Sequence, residues 1–396
     1  MSTTAPDRPE TAALAINGGA PVTDKPVPMI AVSLTDGDIN AALEVLKSGM
    51  LAAGKNAMAF EEAFASASDA NFGLTCANGT CALQLAYGPL IKPGDHVLVP
   101  AWTYIATVSM VVAAGATPIF VDVDPETYNI DLADAATKVT DKTTAIACTH
   151  LYGNPVDIKA TQALAEKHGL SVIYDAAQAH LATYNGKGIG AYGDATTYSF
   201  YPTKNMTTGE GGMVTVNDEA LRDDIKALRS HGEREKYTHT SIGFNYRMSD
   251  VEAAIGLSQF GRLADATAAR QANAAKYDAI LAGIDGLHAP KITEGATSAY
   301  HLYAVRIDLD AFNTGDVPVR QAFIDALKAE GVMTAVHYPR SLTRQPVFET
   351  PDIVHQPVSD SLAHTLFCIP IHNFLSDEQI TQVGAALTKV ADAYRA

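Results

Sequence analysis

Apolar residues recur along this chain at two spacings, and their alternation predicts its architecture. Short apolar runs at 74–76, 97–99, 117–123, 144–150 and 171–175 are bounded by Gly, Pro, Asn or Asp, as strands are. Between them lie stretches with helical periodicity: 33–47 with Thr35 as N-cap, 60–66, a helix with Thr80 in its first turn, another opened by 100–107, then 131–138 and 158–168. Strands alternating with helices predict an α/β fold with a mostly parallel central sheet covered on both faces. Such sheets bind ligands at the carboxyl ends of their strands, where Asn78, Tyr104, Asp175 and Lys204 would converge.

Residues 196–201 alternate and are rich in β-branched and aromatic types, and Pro202 cannot continue a central strand. The strand is therefore expected to end just short of Lys204. Gly209, Gly211 and Gly212 supply a permissive loop before a further strand at 213–216. A helix then runs to His231, a polar stretch fills 232–240, and Asp250 leads a long helix through Gln259 into Ala279. Beyond about residue 282, strands at 303–307 and 334–338 and helices at 319–330 and 377–394 predict a smaller α+β unit. The expected organisation is a flexible leader at 1–13, a large domain at 14–281 and a C-terminal domain at 282–396 packed directly against it. The string Gly188 to Gly193 satisfies Gly-x-Gly-x-x-Gly, but a strand follows it and not a helix, so it reads as turns.

Composition narrows the class. With 396 residues, 47% hydrophobic and 18% charged, the chain is long and apolar enough to fold around a sizeable core. A formal charge of −16 without a basic stripe argues against a nucleic-acid partner. No apolar run is long enough to span a bilayer, and the first residues lack a basic-then-apolar signal, so a cytoplasmic location is expected. Cys76, Cys81, Cys148 and Cys368 form no Cys-x-x-Cys pair and read as buried reduced thiols, with no metal site implied.

The chemistry lies in a pair of residues. Lys204 stands on a turn between two strands with Ser199 close by, where burial could lower its pKa and make it a carbonyl-trapping amine. Asp175 ends a buried strand, and Gln178 shares its face if the chain turns helically there. A carboxylate held ionised beside a heteroaromatic nitrogen, with a lysine Schiff base at the other end, is what pyridoxal 5'-phosphate (PLP) requires. Asn78-Gly79-Thr80 reads equally as a phosphate seat at a helix N-terminus and as a plain N-capped helix start. Trp102 and Tyr104 offer rings either for stacking or for core filling.

Five ordered motifs, at 78–80, 102–107, 175–180, 199–204 and 243–248, resemble the DegT/DnrJ/EryC1/StrS aminotransferases, from Gly18-Gly19 to the last helix. The resemblance implies the aspartate-aminotransferase-like fold (fold type I) and PLP, with Lys204 as Schiff-base lysine and Asp175 on the pyridine nitrogen. Gln178 would contact the ring hydroxyl, Tyr104 would stack on the ring, and Gly79, Thr80 and Ser199 would hold the phosphate. Asn245 would reach the phosphate of the neighbouring subunit in a homodimer with shared sites. Arg247, His337 and Tyr338 fall in segments that resemble substrate-contacting ones. Family dehydratases carry histidine where this chain has Lys204, which argues for amino transfer. The implied donor is L-glutamate or glutamine, and the implied acceptor is a ketone on a nucleotide-linked deoxysugar, because 243–248 is similar to perosamine-type synthases. The start Ala15-Ile16-Asn17-Gly18-Gly19 leaves a cyclitol ketone open, and a non-catalytic PLP-binding sensor or scaffold is the alternative of another class.

Overall fold

The computed structural model describes residues 13–396, so the expected leader lies outside the described residues but for Ala13. Seven strands form the central sheet: β1 (Phe72–Cys76), β2 (His96–Pro100), β3 (Thr117–Val121), β4 (Thr143–Thr149), β5 (Ser171–Asp175), β6 (Ala195–Ser199) and β7 (Gly212–Val216). Their spatial order is β1-β7-β6-β5-β4-β2-β3. All neighbours run parallel except that β7 opposes both β1 and β6.

Side-chain alternation sends both faces of this sheet into apolar cores. Leu98, Ile146, Cys148, Val172 and Tyr174 face one core, with Phe60 and Phe64 of the helix Lys55–Ala67 and Leu164 of Ile158–His168. Val97, Val99, Ala145, Ala147 and Ile173 face the other, with Leu85 of Gly79–Leu90, Val108 of Ala106–Ala113 and Ile225 of Glu219–Arg229. Burial on both faces is why these strands read as unbroken apolar runs.

The C-terminal part holds a three-stranded antiparallel sheet with Tyr303–Ile307 between Leu287–His288 and Leu366–Ile369. The helices Val319–Ala329 and Asp377–Tyr394 pack on it. Its core also takes Leu14 and Val27 from the start of the chain, and Tyr277 from the helix Leu263–Leu281. The fully buried Glu330 carboxylate accepts from the amides of Ala15 (2.8 Å) and Val22 (3.0 Å) and from Lys389 Nζ (2.8 Å). One acid thus straps the segment at 15–22 to the last helix.

Three expectations change. Residues 334–338 do not form a strand: both sides of Tyr303–Ile307 are occupied, and only Ala335 bridges to Cys368, on the outer side of Leu366–Ile369. The long helix from Asp250 breaks at Gly261-Arg262 into Asp250–Phe260 and Leu263–Leu281, and Arg262 turns to Asp38 of the first helix (Nη1 to Oδ1, 2.8 Å). The polar stretch 232–240 contains a short hairpin, Glu233–Glu235 against Thr238–His239. The glycine string at 188–193, expected as turns, ends the short strand Lys187–Gly188 and forms the single 3₁₀ turn Ile189–Ala191, and the strand β6 follows it. Among the described residues no helix is long and apolar enough to cross a membrane.

Candidate active site

The carboxyl ends of β5 and β6 lie side by side, with Asp175 paired in register to Thr197. Asp175 closes β5 and is buried; its Oδ2 accepts from Thr107 Oγ1 at 2.6 Å and its Oδ1 from the Ala177 amide at 3.0 Å. Burial pushes the carboxyl's pKa up, while the Thr107 hydroxyl, the Ala177 amide and the charge of Lys204 pull it back. The chain turns directly after Asp175, with Ala179 N donating to Ala176 O at 2.9 Å. That turn carries Gln178, whose Oε1 accepts from Tyr152 N at 2.7 Å and whose Nε2 donates to Tyr338 Oη at 3.2 Å.

β6 ends at Ser199, two residues earlier than the alternation suggests, and leaves five residues to reach Lys204. The loop behind the lysine is fixed by its own hydroxyls. Thr207 Oγ1 donates to Phe200 O at 2.9 Å and accepts from Gly209 N at 2.9 Å, and Asn205 Nδ2 donates to Ala299 O at 2.8 Å. Lys204 Nζ makes no hydrogen bond among the described residues, and burial lowers its pKa to about 8 against the partial support of Asp175. Each of the two groups acts on the other's ionisation, so amine and acid share one low-dielectric site. Lys204 also borders a cavity of about 330 Å³ with Ala31, Val32, Asn373 and Phe374.

At the other end, Asn78 caps the helix Gly79–Leu90, its side chain accepting from Cys81 N at 2.9 Å. The amides of Gly79 and Thr80 precede the first intrahelical bonds and have no acceptor within the helix. A Cβ at Gly79 would lie 2.7 Å from Ser199 Cβ, and one at Gly212 would lie 2.4 Å from Asn78 O. Glycine at both positions lets the helix start, Ser199 and β7 crowd together. The predicted phosphate residues Gly79, Thr80 and Ser199 are thereby brought to one place, with the amide ends left open.

Tyr104 is 58% exposed, at the rim, its ring centroid 6.3 Å from that of Tyr338. Trp102 is core: it is buried, and its Nε1 donates to Tyr152 Oη at 3.1 Å. His337 and Tyr338 enter the site after the bridge at Ala335; Lys204's charge acts on His337, and burial keeps that imidazole's pKa low. Asn245 and Arg247 are exposed and make no side-chain hydrogen bond among the described residues. Their backbone nevertheless lies by the helix start, because Tyr246 O accepts from Ala77 N at 2.8 Å. Residues that pattern alone did not single out include Thr107, Tyr152 and His301; His301 Nδ1 lies 3.2 Å from Asn205 Oδ1.

An unpaired amine, a buried acid with its own hydroxyl donor, and a glycine-lined helix start fit the three ends of PLP. The model described as the DegT/DnrJ/EryC1/StrS aminotransferase family matches residues 33–388. The chain is 38% identical over 358 residues to a pleiotropic regulatory protein of Geobacillus stearothermophilus, covering 89% of this chain and 93% of that one. It is 37% identical over 347 residues to GDP-perosamine synthase of Caulobacter vibrioides, covering 85% and 90%. The crystal structure of S. venezuelae DesV in complex with a ketimine intermediate superposes with a TM-score of 0.88 at 33% identity, over 93% of this chain and 99% of that one.

Proposed function

This chain belongs to the DegT/DnrJ/EryC1/StrS aminotransferase family, and from that premise we propose that it uses PLP to move an amino group from L-glutamate or glutamine to a ketone of a nucleotide-linked deoxysugar. The observation that carries the reading is that Lys204, half-buried at the edge of a cavity, lies close enough to the buried Asp175 for each to act on the other's charge. The perosamine-type acceptor rests on the similarity to GDP-perosamine synthase, a relative that spans most of this chain. A sensor role, which the name of the Geobacillus relative brings to mind, gives no reason to keep a depressed lysine opposite a buried acid.

PLP, when bound, supplies an electron sink that makes a donor's α-hydrogen acidic. The rest is the work of this chain's own residues. The amides of Gly79 and Thr80, with Ser199, bind the phosphate. Asp175, held towards its ionised form by Thr107 and the Ala177 amide, keeps a proton on the ring nitrogen. Gln178, fixed between Tyr152 and Tyr338, orients the ring hydroxyl, and Tyr104 covers the ring from the rim. Lys204, unprotonated in a useful fraction near neutral pH, takes the proton from the donor's α-carbon and holds it at Nζ.

The active unit in this reading is a homodimer. Met50 is 75% exposed and Ile242 93% exposed, and a groove of about 1100 Å³ runs along 48–56 beside the helices Asp36–Ser48 and Asp250–Phe260. A second copy seated there covers this apolar surface, and Asn245 of one subunit completes the phosphate site of the other.

Borohydride treatment of the purified protein followed by peptide mass analysis tests the core of the proposal. The expected result is a cofactor mass fixed on the peptide containing Lys204; an unmodified peptide after incubation with PLP overturns it. A panel of nucleotide-linked keto sugars and cyclitol ketones, with glutamate and glutamine as donors, then selects the acceptor.

A further inference from the structure

The helix Leu263–Leu281 buries an unusual stripe. Thr267, Arg270 and Asn273 stand among Leu263, Ala274 and Tyr277 on its inward face. Arg270 is only 5% exposed, and among the described residues no carboxylate pairs with it. Its Nη1 donates to the carbonyls of Tyr300 (3.2 Å) and His301 (3.4 Å), whereas its buried Nε has no acceptor among the described residues. Desolvation lowers the guanidinium's pKa to about 10 with nothing to offset it. A buried cation without an anion is costly, and retaining one marks a place where an anion arrives.

Arg270 borders a cavity of about 30 Å³ together with Met29, Thr203, His301, His337 and His372. The buried Nδ1 of His337 has no partner among the described residues, whereas His372 donates Nε2–H to Pro28 O at 3.2 Å, which leaves its own Nδ1 an acceptor. Thr203 precedes Lys204, and His337 precedes the Tyr338 that bonds Gln178, so the cavity adjoins the active site. At roughly 15 Å³ per water-sized oxygen, it holds about two oxygens and no phosphate chain.

We propose that Arg270, with the imidazole of His337, forms the subsite for the α-carboxylate of the amino donor. The inference rests on the amino-transfer reading above. A donor that presents its α-amine to the Lys204 end carries its carboxylate one bond from the reacting carbon, and Arg270 is a cation without an acid partner among the described residues, in a cavity lined by Thr203 and His337, with its charge and that of Lys204 both acting on His301. The α-carboxylate is common to glutamate and glutamine, so one subsite serves both. The acceptor's nucleotide is too large for this cavity and binds elsewhere.

The test uses the purified PLP-loaded protein and its Arg270→Gln and Arg270→Lys variants. 2-Oxoglutarate, the keto acid left by glutamate, is the calorimetric probe. Arg270→Gln is expected to weaken its binding about tenfold or more and to raise KM for both glutamate and glutamine by about 10–100-fold, with the acceptor's KM unchanged. Arg270→Lys keeps the charge but not the planar fork and should recover part of the loss. Borohydride fixation at Lys204 should be equal in all three proteins, which shows that the variants fold and hold the cofactor. Donor KM values within twofold of wild type in an Arg270→Gln protein that fixes cofactor normally overturn the assignment. So does a wild-type protein that fixes cofactor yet binds no 2-oxoglutarate, and that result leaves amino transfer standing. A wild-type protein that fixes no cofactor instead overturns the underlying reading and this subsite with it.

Discussion

Lys204 is a charge the folded chain tolerates at a cost. Its pKa of about 8 lies below the ordinary 10.5, so below about pH 8 the lysine is protonated in both folded and unfolded states and the fold bears the desolvation. As pH rises from 8 towards 10.5 the folded chain sheds this proton first, and the penalty is relieved. Replacing Lys204 by Met is therefore expected to stabilise the PLP-free protein at pH 7 by about 3 kcal/mol, with the gain vanishing by pH 10–11. Thermal melts across that range measure it, and the same variant should have no transaminase activity. Thr107 makes a quieter contribution: its hydroxyl opposes the burial that favours the neutral acid at Asp175. Thr107→Val should lower turnover about 10–100-fold at constant fold, read from kcat and far-UV circular dichroism, since hydrogen bonds to charged groups are worth about 1.5–3 kcal/mol. Lys204 and Asp175 were legible because their residue types sit at unusual points in a strand pattern. Thr107 was not, because a threonine at a helix start has an ordinary capping use. Arg270 has a readable signal in retrospect, a charged residue in register with the buried positions Leu263, Thr267, Ala274 and Tyr277.

At the level of elements, Asp250 shows how one side chain joins two helices. It is the first residue of Asp250–Phe260, where Ser249 is the cap, and its carboxylate accepts from the amides of Gly54, Asn56 and Ala57, each at 3.0 Å, and from Asn56 Nδ2 at 2.7 Å. Asp250→Ala strands those donors and should cost about 2–4 kcal/mol in urea denaturation, with faster proteolysis at 50–56. Periodicity placed most helices and strands of the large sheet within a few residues, because each buries a regular face. It failed where tertiary contacts outweigh local pattern. The segment 334–338 has a strand's composition but finds no free side of the central C-terminal strand, and the helix expected to run from Asp250 breaks where Arg262 turns to reach Asp38.

For the whole molecule, the mostly parallel sheet followed from the alternation of elements, whereas its single opposed strand, β7, did not. A five-residue apolar strand carries no mark of its direction. Subunit sharing can be tested by mixing. If Asn245 serves the opposite phosphate site, Lys204→Ala and Asn245→Ala proteins, each impaired alone, should regain about a quarter of wild-type activity after subunit exchange, since half the dimers are mixed and each carries one intact site. No gain in dimers shown by mass to have exchanged would remove the shared site. The Glu330 strap carries a consequence for biosynthesis. The amide of Ala15 waits for a carboxylate 315 positions downstream. At translation speeds of about 5–20 residues per second the emerging segment stays undocked for roughly 15–60 s. During that interval the nascent chain offers Leu14 and Val27 to chaperones and proteases, so a slow ribosome taxes this protein at the segment that Glu330 will later hold.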